Sequence, residues 1–143
     1  MTIEVLDRVA VESDFDFIWS LYSNSVKPVI SQLINWRDEE QRARFRGILD
    51  LVTARIAVMD DEPIAWFALA ESESALDLEQ LFIVENYRRK GLGRGIATWA
   101  KGLASEKSLK FRLPTLDDPV AIAFARSLGL ADVRLDQSTL IFS

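Results

Sequence analysis

Two short stretches hold side chains whose type and spacing could do chemistry. In "ALDLEQLFIV", Asp77 and Glu79 stand two residues apart. On an extended chain that spacing puts both carboxylates on one face. Two carboxylates so placed can raise each other's pKa and hold a cation between them. A plainer reading is open as well: charges on an exposed strand end, or Glu79 paired with a nearby arginine. The second stretch, "NYRRKGLGRGIATWA", gathers Arg88, Arg89, Lys90 and Arg94 around Gly91, Leu92 and Gly93, then turns apolar. A glycine turn that opens a helix offers bare backbone N–H groups and the positive helix end to an anion, and the cations add charge for it to neutralise. Two phosphate motifs fail here. No glycine pair has the GxxxxGK[ST] spacing, and GxGxxG breaks because the third glycine position is Ile96. The competing reading is a solvated turn with glycines present for backbone freedom.

Composition limits the chemistry further. Acidic residues outnumber basic ones 22 to 17, for a net charge of −5. That balance argues against gripping duplex nucleic acid and suits a cationic partner. The chain has no cysteine and no histidine. A thiol nucleophile, a Ser-His-Asp triad, disulfides and the usual zinc or non-haem iron sites are therefore excluded, and no metal site is expected. Proton transfer falls to carboxylates, tyrosine, lysine or water. No apolar run is long enough to span a bilayer and the N-terminus lacks the features of an export signal, so a cytoplasmic protein is expected.

The elements that must position these residues follow from periodicity. Residues 2–10 read as a strand. Ser13 or Asp14 then caps a helix bearing Phe15, Ile18, Trp19 and Tyr22, with Ser13 and Asp16 resembling a capping box. Pro28 is expected to begin a second helical stretch that continues, with a bend, to Asp50. From residue 54 the period becomes two: three strands of an antiparallel meander, with turns at 60–63 and 72–74. After the glycine turn, Leu92, Ile96, Trp99, Ala100 and Leu103 mark an amphipathic helix, followed by a strand near "LKFRL". Asp118 and Pro119 open a last helix that ends at Gly129, and "STLIF" closes the chain as a strand. With no repeat or linker, residues 1–143 are expected to form one α+β domain: a mixed, mostly antiparallel sheet flanked by about four helices.

"LEQLFIVENYRRKGLGRGIATWA" resembles the acetyl-CoA-binding segment of the GNAT acetyltransferase superfamily, whose signature is Gln or Arg, two residues, Gly, one residue, then Gly or Ala. Here these are Arg88, Gly91 and Gly93. The element order also resembles that family's over nearly the whole chain, and "DDPVAIAFARSLGL" looks like its last helix. The resemblance implies acetyl-CoA as cofactor. The amides from Arg89 to Arg94, through Lys90, Gly91, Leu92 and Gly93, would hold the pyrophosphate, and main-chain groups of Leu81, Phe82 and Ile83 would pair with the pantetheine arm. Asp118, where relatives often carry Asn, is counted with the cofactor site. The general base of relatives occupies positions matching Asp77 and Glu79. The implied activity is direct transfer of the acetyl group to a primary amine of a small molecule or protein in a ternary complex. The tyrosine that protonates the leaving thiolate in relatives is replaced by Ala125, so the thiolate leaves unassisted or through water. An alternative is a non-catalytic acyl-CoA-binding or regulatory module.

In this fold the first two helices shape the acceptor pocket. "INWRDEEQRARF" places Trp36, as a substrate-binding candidate, beside Asp38, Glu39 and Glu40. Trp36 as core, and a helix face with local ion pairs, is the competing reading. A homodimer through the meander's edge or a helix face is compatible with the sequence.

Overall fold

The structure is a computed structural model that describes residues 6–88, 90–116, 119–134 and 139–143. The elements are β1 (Leu6–Val9), α1 (Phe15–Ile30), α2 (Asp38–Ile48), β2 (Ala54–Met59), β3 (Glu62–Glu71), β4 (Ala75–Ile83), α3 (Leu92–Glu106), β5 (Lys110–Leu116), α4 (Pro119–Ser127), β6 (Asp132–Arg134) and β7 (Thr139–Phe142). The fold class is the expected one: among the described residues, a mixed, mostly antiparallel sheet of seven strands with four α-helices. Residues cluster into two compact units, Met1–Phe67 with Phe82–Tyr87, and Ala68–Leu81 with Arg88–Ser143.

In the first unit the strand order is β1-β2-β3, with β1 antiparallel to β2. β2 and β3 are joined at Asp60 and Asp61, whose φ angles of 51° and 63° are those of a two-residue type I′ hairpin, so β3 starts at Glu62 and not beyond Pro63 as the turn residues suggested. The core is aromatic. Phe15, Trp19 and Tyr22 project from α1 at helical spacing and meet Phe45 of α2, whose ring stacks on Tyr22 at 4.2 Å. Trp66 of β3 stacks on Phe82 of β4 at 5.4 Å. Trp66 is 2% exposed, which makes it core.

Two local expectations are corrected here. The chain enters α1 through a 3-10 turn, Glu12–Asp14; Asp14, one of the two expected caps, holds the N-cap position, but its side chain makes no capping bond to α1 and the Ser13/Asp16 box is not formed. The Asp14 carboxylate accepts the Val11 N–H at 2.8 Å and both Arg8 guanidinium N–H groups at 2.7 and 2.8 Å. This bidentate charged pair and the Val11 N–H hold the carboxylate back toward the 3-10 turn, away from the first N–H groups of α1. Pro28 does not open a helix; it lies in the last turn of α1. There it removes only the N–H that would reach the Asn24 carbonyl, and the helix stops two residues later.

In the second unit the order is β3-β4-β5-β7-β6. β4 and β5 run parallel, while β5 with β7 and β7 with β6 are antiparallel. β6 was not expected; three residues are too few to show a period. The buried row of α3 is Leu92, Ile96, Ala100 and Ala104, joined by Ala97. Trp99, expected on that face, is 41% exposed, because the small residues of the i+4 row, not the indole, are turned to the core. Gly129, with φ +79°, ends α4 as expected.

Candidate functional site

β4 carries the paired carboxylates. Leu76 and Leu78 are buried on one side of the pleat, and Asp77 and Glu79 alternate with them on the other. Among the described residues the β4–β5 ladder has three rungs, Ala75 opposite Lys110, Leu76 opposite Phe111 and Asp77 opposite Arg112. On the third rung the side chains join: Arg112 Nε and Nη2 each donate to one oxygen of Asp77 at 2.7 Å. This fork-to-fork arrangement is the strong geometry for a carboxylate and a guanidinium. The Asp77 side chain is only 13% exposed, so the pair is partly shielded from water.

Glu79 is different. No hydrogen bond or ion pair ties it among the described residues, and its carboxyl is held above the usual carboxylate range. Partial desolvation is the main cause and the nearby Asp77 charge the second, with Arg112 pulling the other way. The sequence left open whether Glu79 would pair with an arginine. The arginine is there, but Asp77 takes it. Arg112 itself went unnoticed in the sequence. The signal was present in "LKFRL", where Arg112 lies between Phe111 and Leu113, each 7% exposed, just as Asp77 lies between two buried leucines. Only the register of the two strands makes these complementary patterns meet.

The remaining residues of β4, Leu81, Phe82 and Ile83, are half-buried. The Phe82 ring is engaged by Trp66 and, edge-on at 5.8 Å, by Tyr22. The following Val84 N–H still donates to the Ile64 carbonyl at 2.9 Å.

Gly91 is the N-cap of α3, in the left-handed region at φ +79° and ψ 6°, a conformation that glycine adopts without strain. The first helical bond runs from Gly95 N–H to the Gly91 carbonyl at 2.9 Å. The N–H groups of Leu92, Gly93 and Arg94 precede it and have no partner within the helix. No side chain caps them, no acidic residue occupies the first turn, and a Cβ at Gly91 would meet nothing within 4 Å. Arg88 and Lys90 are exposed beside this end. Arg94 reaches back to the Ser127 carbonyl at 3.4 Å, at the end of α4. These amides, the open approach and the cations fit a diphosphate. Arg89 and Asp118 lie outside the described residues.

In α4, Ala125 is fully buried, so the position that the resemblance assigns to a tyrosine is packed core. Of the two tyrosines in the chain, Tyr22 belongs to the aromatic core and Tyr87 ends the short turn before Arg88.

Trp36 lies in the connection between α1 and α2, half-buried, stacked on Trp19 at 6.3 Å and donating its indole N–H to Asp38 at 2.5 Å. That bond, with Lys27 at 3.5 Å, draws the Asp38 carboxyl below its usual range. A cleft of about 270 Å³ opens there, lined by Trp19, Lys27, Asp38, Glu39 and Arg42 among others, and not by Trp36. The cations of α2 do not pair only along their own helix. Arg42 binds Asp16, Arg46 binds Glu12, and both guanidinium groups sit over the Phe15 ring, at 5.0 and 4.4 Å.

Among the described residues no helix is long and apolar enough to cross a membrane. No curated protein is significantly similar to the chain. Solved structures share its fold. The PaiA N-acetyltransferase of Thermoplasma acidophilum, solved in complex with coenzyme A, is 18% identical with a TM-score of 0.71 and 98% of each chain covered. The apo form of YjaB from Escherichia coli is 17% identical at 0.70, with 99% of this chain and 95% of that one covered. Ard1 from Thermoplasma volcanium is 13% identical at 0.66, with 97% of each covered. Residues 15–130 match the model of the Acetyltransferase (GNAT) family, and the chain therefore belongs to that family, whose acetyl donor is acetyl-CoA.

Proposed function

We propose that this chain is an N-acetyltransferase that moves the acetyl group of acetyl-CoA to a primary amine of a small molecule or protein, in the cytoplasm and within a ternary complex. The observation that carries the reading is the Glu79 carboxylate of β4, without a partner among the described residues and raised from its ordinary value, at a position that the resemblance matches to the general base. An amine is a nucleophile only when neutral, so an acceptor arriving as an ammonium must first lose a proton. Glu79 takes that proton directly or through a water, and a carboxylate with a raised pKa is the better base for it. Asp77, closed onto Arg112, adds to the field but is not available for transfer.

When bound, acetyl-CoA supplies an activated acyl group and a leaving thiolate. The amides of Leu92, Gly93 and Arg94, preceded by those of Arg89, Lys90 and Gly91, hold its diphosphate, with Arg88 adding charge. Main-chain groups of Leu81, Phe82 and Ile83 align its arm in the manner of an added strand, and Asp118 is assigned to the same site. Trp36 is the substrate-binding candidate on the acceptor side, its ring stacked on Trp19 and its indole N–H donated to Asp38. The acceptor is cationic, in keeping with the acidic balance of the chain.

Thiol release measured over a panel of polyamines, aminoglycosides and peptides with free amines tests this. At least one amine is expected to raise release well above background. A second reading, a non-catalytic acyl-CoA-binding module, draws on the buried Ala125 where an acid would stand. It takes over if calorimetry shows CoA binding while no amine stimulates thiol release.

A further inference from the structure

We propose that Arg112 is a positioning residue: by closing on Asp77 it leaves Glu79 as the carboxylate on this face of β4 that has no partner among the described residues, and it sets the pH at which Glu79 can accept a proton. The inference rests on the reading of Glu79 as the base, and its basis is geometric. Asp77 and Arg112 are direct partners in the β4–β5 ladder, so the two side chains leave their strands side by side. Both carboxylate oxygens of Asp77 are occupied, at 2.7 Å each, by two different nitrogens of one guanidinium. Glu79, two residues along the same face, has no such partner among the described residues. Two like charges at that spacing compete for ionisation. A guanidinium on one of them opposes its effect on the other, and it remains charged at every pH of interest.

The charged groups acting on Glu79 come from two strands, Asp77 on its own β4 and Arg112 on β5, and their effects are opposed in sign. That opposition makes the assignment testable without knowing the acceptor. Removing the guanidinium, in Arg112→Met, exposes Glu79 to the whole Asp77 charge and must raise its pKa. Removing the carboxylate, in Asp77→Asn, takes away the repulsion and leaves the cation, and must lower it. The pair removed together, Asp77→Asn with Arg112→Met, must fall between the two single variants. Arg112→Lys keeps the charge and must stay near the parent chain.

The measurement is a side-chain carboxyl NMR titration of Glu79 in the whole protein, assigned with Glu79→Gln, after each variant's melting curve shows it folded. Opposite displacements in the two single variants, with an intermediate double variant, support the proposal. Displacements of the same sign in both, or none in either, overturn it. A structural role for the ion pair would lower the melting points without separating the titrations. Where Arg112→Met fails to fold, Asp77→Asn and Arg112→Lys decide alone: a Glu79 titration that does not move down in the first, or does not stay near the parent in the second, overturns the claim. Failure of the wider reading looks different, since an active Glu79→Gln enzyme removes the base while the titrations still report on Arg112.

Discussion

Glu79 and Ala125 are the residues at which catalysis can be argued atom by atom. Desolvation and the Asp77 charge raise the Glu79 carboxyl from its ordinary value, so its proton-accepting form is lost at a higher pH than an ordinary carboxylate's. Activity should therefore fall as the pH drops through that raised value, and kcat/KM should show an acid limb there. Glu79→Gln should abolish the limb and lower kcat/KM by roughly 10²–10⁴-fold, the usual worth of a general base. A pH–rate profile of both proteins checks this. Ala125 makes the opposite point. Its methyl group is fully buried, so a tyrosine there must displace packed neighbours. Ala125→Tyr is expected to cost about 1–3 kcal/mol through overpacking and to bring no gain in turnover. Thermal melts alongside the thiol-release assay separate these outcomes.

At the level of elements, the beginnings of the helices matter most. The 3-10 turn that leads into α1 is closed by Asp14, whose carboxyl the Arg8 guanidinium and the Val11 N–H draw below its usual value. The sign follows: the stability this group contributes is present above the unfolded value of about 3.9 and is lost as pH falls through the lower folded value. Asp14→Asn should destabilise the protein by roughly 1–2 kcal/mol near neutrality. The difference should shrink in acid, as paired denaturation curves across pH would show. α3 is started by Gly91. Space around it is open, so the cost of a side chain lies in the left-handed backbone: about 1–2 kcal/mol for Gly91→Ala. Gly91→Glu adds an anion where the diphosphate is to be held. Calorimetry should find CoA affinity reduced about tenfold or more, the equivalent of ~1.4 kcal/mol.

For the whole molecule, a negative chain with a local basic turn should bind an anionic ligand at that turn and be stabilised by it. CoA at a hundred times its Kd adds about 2.7 kcal/mol and should raise the melting temperature by several degrees. A melt series in CoA that stays flat would contradict the assignment of the amides at α3. The sequence made most of this architecture legible where a period ran for several turns or pleats, as in β2 to β4 and along the Phe15–Tyr22 face of α1, and where both ends were marked, as in α4. It failed where the deciding partner was distant or the element short. Pro28 carries the signal of a helix start but sits in a last turn, because the Phe15–Trp19–Tyr22 stripe had already fixed the helix. β6 has three residues. The carboxylates at 77 and 79 were visible as a pair, yet their division into one locked and one without a partner among the described residues depends on Arg112, 35 positions beyond Asp77.

That division has a consequence for how the protein tolerates change. The rung that joins Asp77 to Arg112 is also the last of the β4–β5 ladder among the described residues, so the place where two neighbouring strands part company and the switchboard of local charge are one and the same. Drift at either residue would be felt twice, once in how the strands are fastened and once in the acidity of Glu79. A lineage free to alter its acceptor preferences elsewhere would find this rung the hardest to rewrite one letter at a time.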